Sequence, residues 1–173
     1  MEKFKQILLF GILIPFSQSV FGQQTKKECN DIDYLIKMTV NALQNKSDSQ
    51  YLQLPNYGIM MEVLNQKSAT DSTAKILAQQ MQKKPQLFNL MFKSNFNELI
   101  TDIKSDLKTS NFNLEYKEYF IEHKEKDALT DHLTLMVKLI ANGERYRIMM
   151  YTTKYKDCFY IFEPATPYFT RGW

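Results

Sequence analysis

The sequence predicts an α+β domain with N-terminal helices packed on one face of a C-terminal antiparallel sheet of about four strands, a cone-like arrangement. Three observations carry this expectation. Apolar residues recur every three or four positions up to about residue 108 and then alternate. Asn142-Gly143 separates two alternating runs, and a type I′ hairpin turn needs positive φ at both central residues. Helical segments precede strand segments without interleaving, which points to α+β rather than to a parallel α/β sheet.

The first helix is expected over 26–45. Thr25-Lys26-Lys27-Glu28 fits a capping box, and Ile32, Leu35, Ile36, Thr39, Val40 and Leu43 share one side. Asn45–Ser49 reads as a polar break. A short helix follows Pro55, carrying Ile59, Met60, Val63 and Leu64. Ser68-Ala69-Thr70-Asp71 offers a second capping box for a helix that Pro85 terminates. The last helix runs from about Gln86 to Lys108, with Leu87, Leu90, Met91, Leu99, Ile103 and Leu107 as its apolar stripe.

Strands are expected at 113–123, 131–141, 144–153 and 158–163. A two-residue turn at Asn142-Gly143 pairs Leu139 with Tyr146, Val137 with Ile148 and Leu135 with Met150, so one side of the hairpin is wholly apolar and calls for a helical cover. The tail after Pro164 either folds back over the core or presents Trp173 to a partner, because Trp, Tyr and Arg are favoured interface residues.

Residues 1–22 have the pattern of a cleavable signal peptide. Lys3 and Lys5 give a positive start, Ile7–Ile14 an apolar core, and Val20-Phe21-Gly22 a cleavage site before Gln23. The apolar core is about half the length a spanning helix needs. The expectation is an exported protein, periplasmic or secreted, with no membrane span after cleavage and a single domain over 23–173. The formal charge of +3 falls to +2 once Glu2, Lys3 and Lys5 are removed, too little for a nucleic-acid partner. Outside the cytoplasm, the two cysteines, Cys29 and Cys158, form either a disulfide or two buried free thiols.

Pairing 113–123 with 131–141 so that His123 faces His132 puts Glu118 opposite Val137, among core side chains. A carboxylate there is a candidate for proton transfer or for gripping a polar ligand, with Tyr116 or Tyr146 as a second polar group. The alternative is an edge strand with Glu118 in solvent. The same pairing aligns Lys117, Lys138 and Arg147 across the other face, suited to an acidic protein surface or an anionic ligand unless neighbouring acids screen it. Tyr119, Met136 and Met149 form the next row of that face, followed by Ile121, Thr134 and Tyr151.

The long first helix and the terminal pattern Leu133–Ala141, Asn142-Gly143, Glu144–Thr153, Phe159–Phe162 resemble the NTF2-like, or cystatin-like, α+β superfamily. The resemblance implies a pocket between sheet and helices, used for ligand binding, homodimer formation or catalysis.

No Gly-x-Ser-x-Gly, Gly-rich phosphate loop or Cys-x-x-Cys occurs, and two histidines are too few for a zinc site. No metal or other cofactor is expected. The sequence reading is a non-enzymatic exported binding module, recognising a protein or small ligand through its sheet face or pocket. An antagonist of a toxin or hydrolase is one concrete form. The alternative is a pocket enzyme or small-molecule carrier using Glu118.

Overall fold

The computed structural model describes residues 30–126, 129–161 and 169–172. Among the described residues five helices precede five strands: α1 (Ile32–Asn45), α2 (Asp48–Tyr51), α3 (Tyr57–Lys67), α4 (Ser72–Lys83), α5 (Gln86–Leu107), β1 (Leu114–Lys126), β2 (Asp131–Ala141), β3 (Glu144–Tyr155), β4 (Cys158–Ile161) and β5 (Phe169–Arg171). The sheet is antiparallel in the order β1-β2-β3-β4, and β5 also pairs with β3. The expected α+β class is the observed one.

Helix starts follow local capping chemistry. Asp31 is extended and its carboxylate accepts from Tyr34 N at 2.6 Å, so α1 begins at Ile32 rather than near residue 26. Thr25–Glu28 lie outside the described residues. Asp71 caps α4 through Thr73 N and Ala74 N, taking the role expected of Ser68. Asn56 caps α3. The expected polar break at 45–49 runs into the single turn α2, capped by Ser47.

The core lies where the alternation puts it. Leu135, Val137 and Leu139 of β2 and Tyr146 and Ile148 of β3 are almost wholly buried, together with Leu35, Ile36 and Leu43 of α1 and Phe92, Leu99 and Ile103 of α5. The β2–β3 register is the expected one, with Leu139 opposite Tyr146 and Val137 opposite Ile148. Asn142 and Gly143 have φ of 51° and 86°, as a type I′ turn requires. Lys156 and Asp157, at 47° and 66°, make a second two-residue turn without glycine.

Strand β1 departs from expectation. Tyr116 faces Leu139 as anticipated, but Glu118 then faces Lys138, Tyr119 faces Val137 and Phe120 faces Met136. A second irregularity follows, after which His123 faces Thr134 and Glu125 faces His132. Each bulge inserts one extra β1 residue, and a one-residue slip exchanges the faces of everything beyond it. Gln44 of α1 holds the start of β1: its Oε1 accepts from Leu114 N at 2.6 Å and its Nε2 donates to Phe112 O at 3.0 Å.

The tail returns to the sheet. β5 pairs Tyr146–Ile148 with Phe169–Arg171, and the Tyr146 and Phe169 rings stack at 4.4 Å with 10° between planes. Trp173 lies outside the described residues.

Candidate functional site

A cleft of about 590 Å³ opens between the α3–α4 hairpin, α5 and the strands. Its helical wall is mainly apolar, formed by Met60 and Leu64 of α3, Ala74 and Leu77 of α4 and Met91 of α5, with Thr73 of α4 adding a hydroxyl. Its strand wall is mainly polar, formed by His123 and Glu125 of β1, His132 and Thr134 of β2 and Tyr151 and Thr153 of β3, with Leu133 as an apolar member. Lys67, the last residue of α3, and Asp71, the cap of α4, stand where the two walls meet the α3–α4 connection.

His132 organises the polar wall. Its Nε2 lies 3.2 Å from Lys67 Nζ and 2.9 Å from Thr130 Oγ1, and its Nδ1 lies 3.0 Å from Thr153 Oγ1. An ammonium group donates and never accepts. With the ring proton on Nδ1, facing Thr153, Nε2 would have one lone pair for Lys67 and Thr130 to share. The effect is to tie the last turn of α3 to both central strands and to hold the Lys67 ammonium in the cleft wall.

A second set of contacts fixes α3 one turn earlier. Tyr155 donates to Glu62 Oε1 at 2.6 Å, and Lys156 Nζ reaches the same oxygen at 2.8 Å. The Lys156 hydrogen bond, then that of Tyr155, holds the Glu62 carboxyl below its ordinary value. The ammonium of Lys156 also lies 4.8 Å from the Tyr155 ring centroid. Burial of Thr153 and Tyr155 by these contacts explains why this end of β3 does not alternate between solvent and core.

The residues singled out in sequence do not meet in this cleft. Glu118 is 61% exposed and its Oε1 accepts from Lys138 Nζ at 2.7 Å, so of its two readings the solvent-facing one holds, as a surface ion pair, and the core-facing one does not. The cause is the first bulge. Tyr116 is half-buried at the edge strand, and its hydroxyl is raised above its ordinary pKa by burial and then by Asp33. Tyr146 is buried beneath Phe169 and donates to Glu144 at 3.2 Å; burial, then Glu144, pushes its pKa up to about 12.

The three-cation row is also corrected. Lys138 does face Arg147, but Lys117 falls at the bulge and pairs with Glu115. Lys138 sits between the Glu118 carboxylate and the Phe120 ring, 5.6 Å from its centroid. Arg147 Nε donates to Thr170 Oγ1 at 3.0 Å. The aromatic member of the next row is Phe120, with Met136 and Met149, rather than Tyr119; Thr134 and Tyr151 do pair, with His123 in place of Ile121.

Lys67, His132 and Thr153 were not singled out as a group. His132 and Thr153 fall in the polar phase of their alternating strands, which gives no hint of the α3 partner. Among the described residues no group of three or more His, Cys, Asp or Glu could hold a metal ion, and no helix is long and apolar enough to cross a membrane. Cys158 opens β4, whereas Cys29 lies outside the described residues. No protein-family model, characterised protein or solved structure matches this chain.

Proposed function

We propose that this chain is an exported, non-catalytic binding module that takes a small amphipathic ligand in the cleft between α3–α4 and the strands. The observation that carries this reading is the cleft's construction. Its volume falls within the range of small-molecule sites, and one apolar wall faces a few positioned polar groups. The methionines Met60 and Met91 suit a ligand of variable shape, because an unbranched thioether chain repacks easily. A pocket between helices and sheet is also what the NTF2-like resemblance implies.

The two other readings have less support. A carboxylate exposed to solvent and paired with Lys138 is poorly placed to work on an enclosed substrate, which weakens the Glu118 alternative. The cations Lys138 and Arg147 of the sheet face already have partners within the chain, which weakens the case for an acidic protein surface there. Export rests on the signal-like residues 1–22.

The test is titration of the mature protein with a neutral naphthylamine dye, whose fluorescence rises on transfer into an apolar site. Saturable enhancement is expected for wild type. The cleft-filling variant Ala74→Phe, checked for folding by circular dichroism, should lose it. Enhancement that survives in a folded Ala74→Phe protein would place the dye elsewhere and refute the reading.

A further inference from the structure

Charge is spread unevenly along this chain. From Ser72 to Asn97, which spans α4 and the first half of α5, there are four lysines and no acidic residue. The mature chain carries only +2, so its remainder is net negative. Lys93 is paired with Asp48 at 2.8 Å. Lys75, Lys83 and Lys84 are exposed, and among the described residues their ammonium groups have no ion-pair or hydrogen-bond partner.

The same two helices carry the most exposed large apolar side chains among the described residues, Ile76 at 56% and Leu90 at 57%. Each is the chain neighbour of a half-buried residue that lines the cleft, Leu77 and Met91 respectively. The apolar wall of the cleft therefore continues outward onto α4 and α5. Only Lys84 and Pro85 separate the two helices, which keeps Lys83 and Lys84 at their junction.

Exposed aliphatic side chains accompanied by unpaired lysines are what an interfacial helix presents to lipid. The branched chains enter the acyl boundary, and the lysine stems lie along it with their ammonium groups among anionic headgroups. A protein partner fits less well. Protein interfaces are depleted in lysine and take their anchors from Trp, Tyr and Arg, none of which occurs between Ser72 and Asn97.

We propose that the α4–α5 pair docks this protein on an anionic lipid surface, with Ile76 and Leu90 entering the acyl boundary and Lys75, Lys83 and Lys84 facing the headgroup phosphates. The cleft, whose wall these residues extend, then lies at the lipid surface. The docking face stands whether or not the cleft takes a ligand.

The experiment is co-sedimentation of residues 23–173 with sucrose-loaded vesicles of phosphatidylcholine, alone or with about one-third phosphatidylglycerol. Residues 1–22 are left out because their own apolar run would partition into lipid. Binding to the anionic vesicles should be at least about tenfold tighter than to the neutral ones and should weaken as salt rises from about 0.1 M to about 0.5 M. Lys75→Glu/Lys83→Glu should lower it at least about tenfold, whereas Lys37→Glu/Lys126→Glu, with the same net charge, should stay within about threefold of wild type. Ile76→Gln/Leu90→Gln should cost about tenfold. All six positions are exposed, and circular dichroism checks that each variant is folded. Equal binding to both vesicle types, equal loss in the two charge variants, or no loss in the folded Ile76→Gln/Leu90→Gln protein would overturn the proposal. Retention on poly-L-glutamate resin without binding to anionic vesicles would assign the face to an acidic protein and overturn it as well.

Discussion

Phe159 N donates to the Asn30 carbonyl at 2.9 Å, linking the residue before α1 to the strand that closes the sheet. The immediate chain neighbours of this pair are Cys158 and Cys29. The bond between Asn30 and Phe159 motivates the expectation of a disulfide between the cysteines that precede them in sequence. We expect the exported protein to show no reactive thiol when unfolded without reductant, and two after reduction. Loss of the bridge in Cys158→Ser should lower stability by about 2–4 kcal/mol. Two reactive thiols in the unreduced, denatured protein would contradict the pairing.

The bulge in β1 makes a quantitative distinction. Glu118 faces Lys138 in solvent, so Glu118→Ala should change stability by less than about 1 kcal/mol in urea unfolding. Leu135→Ala, on the buried side of β2, should cost about 2–5 kcal/mol. Had Glu118 faced Val137 in the core, Glu118→Leu would be clearly stabilising. Here it should be close to neutral.

Glu62 couples α3 to β3 in a pH-dependent way. Its carboxyl is held below the ordinary value near 4.5 by Lys156 and Tyr155. A lowered carboxylate pKa adds stability above the unfolded value and loses it as pH falls through the folded one. Tyr155→Phe should therefore lower Tm near neutrality, and the gap to wild type should narrow as pH drops below about 4.5. A gap that stays constant down to strongly acid pH would mean the bond to Glu62 is not its source.

Tyr146 sets an alkaline limit. Burial raises its pKa from 10.0 to about 12, and burial also raises that of Tyr51. A raised tyrosine pKa gives stability that is whole below pH 10 and declines from there towards pH 12. Ultraviolet titration of the folded protein should show a late-ionising fraction among its ten tyrosines. Tyr146→Phe should reduce that fraction without removing it, because Tyr51 remains. A single phase near pH 10 in the folded protein would contradict the burial of both.

Most of the fold was legible because local patterns and tertiary packing agree. The β2–β3 hairpin was readable to the residue, since Asn142-Gly143 fixes the turn and the leucine alternation fixes the face. β1 was readable as a strand but not in register. Its half-buried tyrosines, Tyr116 and Tyr119, are three apart rather than two, and this spacing is the trace a bulge leaves in sequence. The start of α1 was misjudged because Thr25–Glu28 and Asp31 both carry capping chemistry, and only the extended backbone at Asp31 decides between them. The cleft was not legible. Lys67 and His132 are 65 residues apart, and no periodicity connects a helix terminus to the polar side of a strand.

The most direct test of the cleft is methyl NMR of the mature protein with ¹³C-labelled methionines, titrated with the neutral naphthylamine dye. Met60 and Met91 line the cleft, whereas Met136 and Met149 sit together on the sheet face beside Phe120. Saturable shifts at Met60 and Met91, with Met136 and Met149 unmoved, are the predicted result. Shifts confined to Met136 and Met149 would move the binding surface to the sheet face and contradict the account.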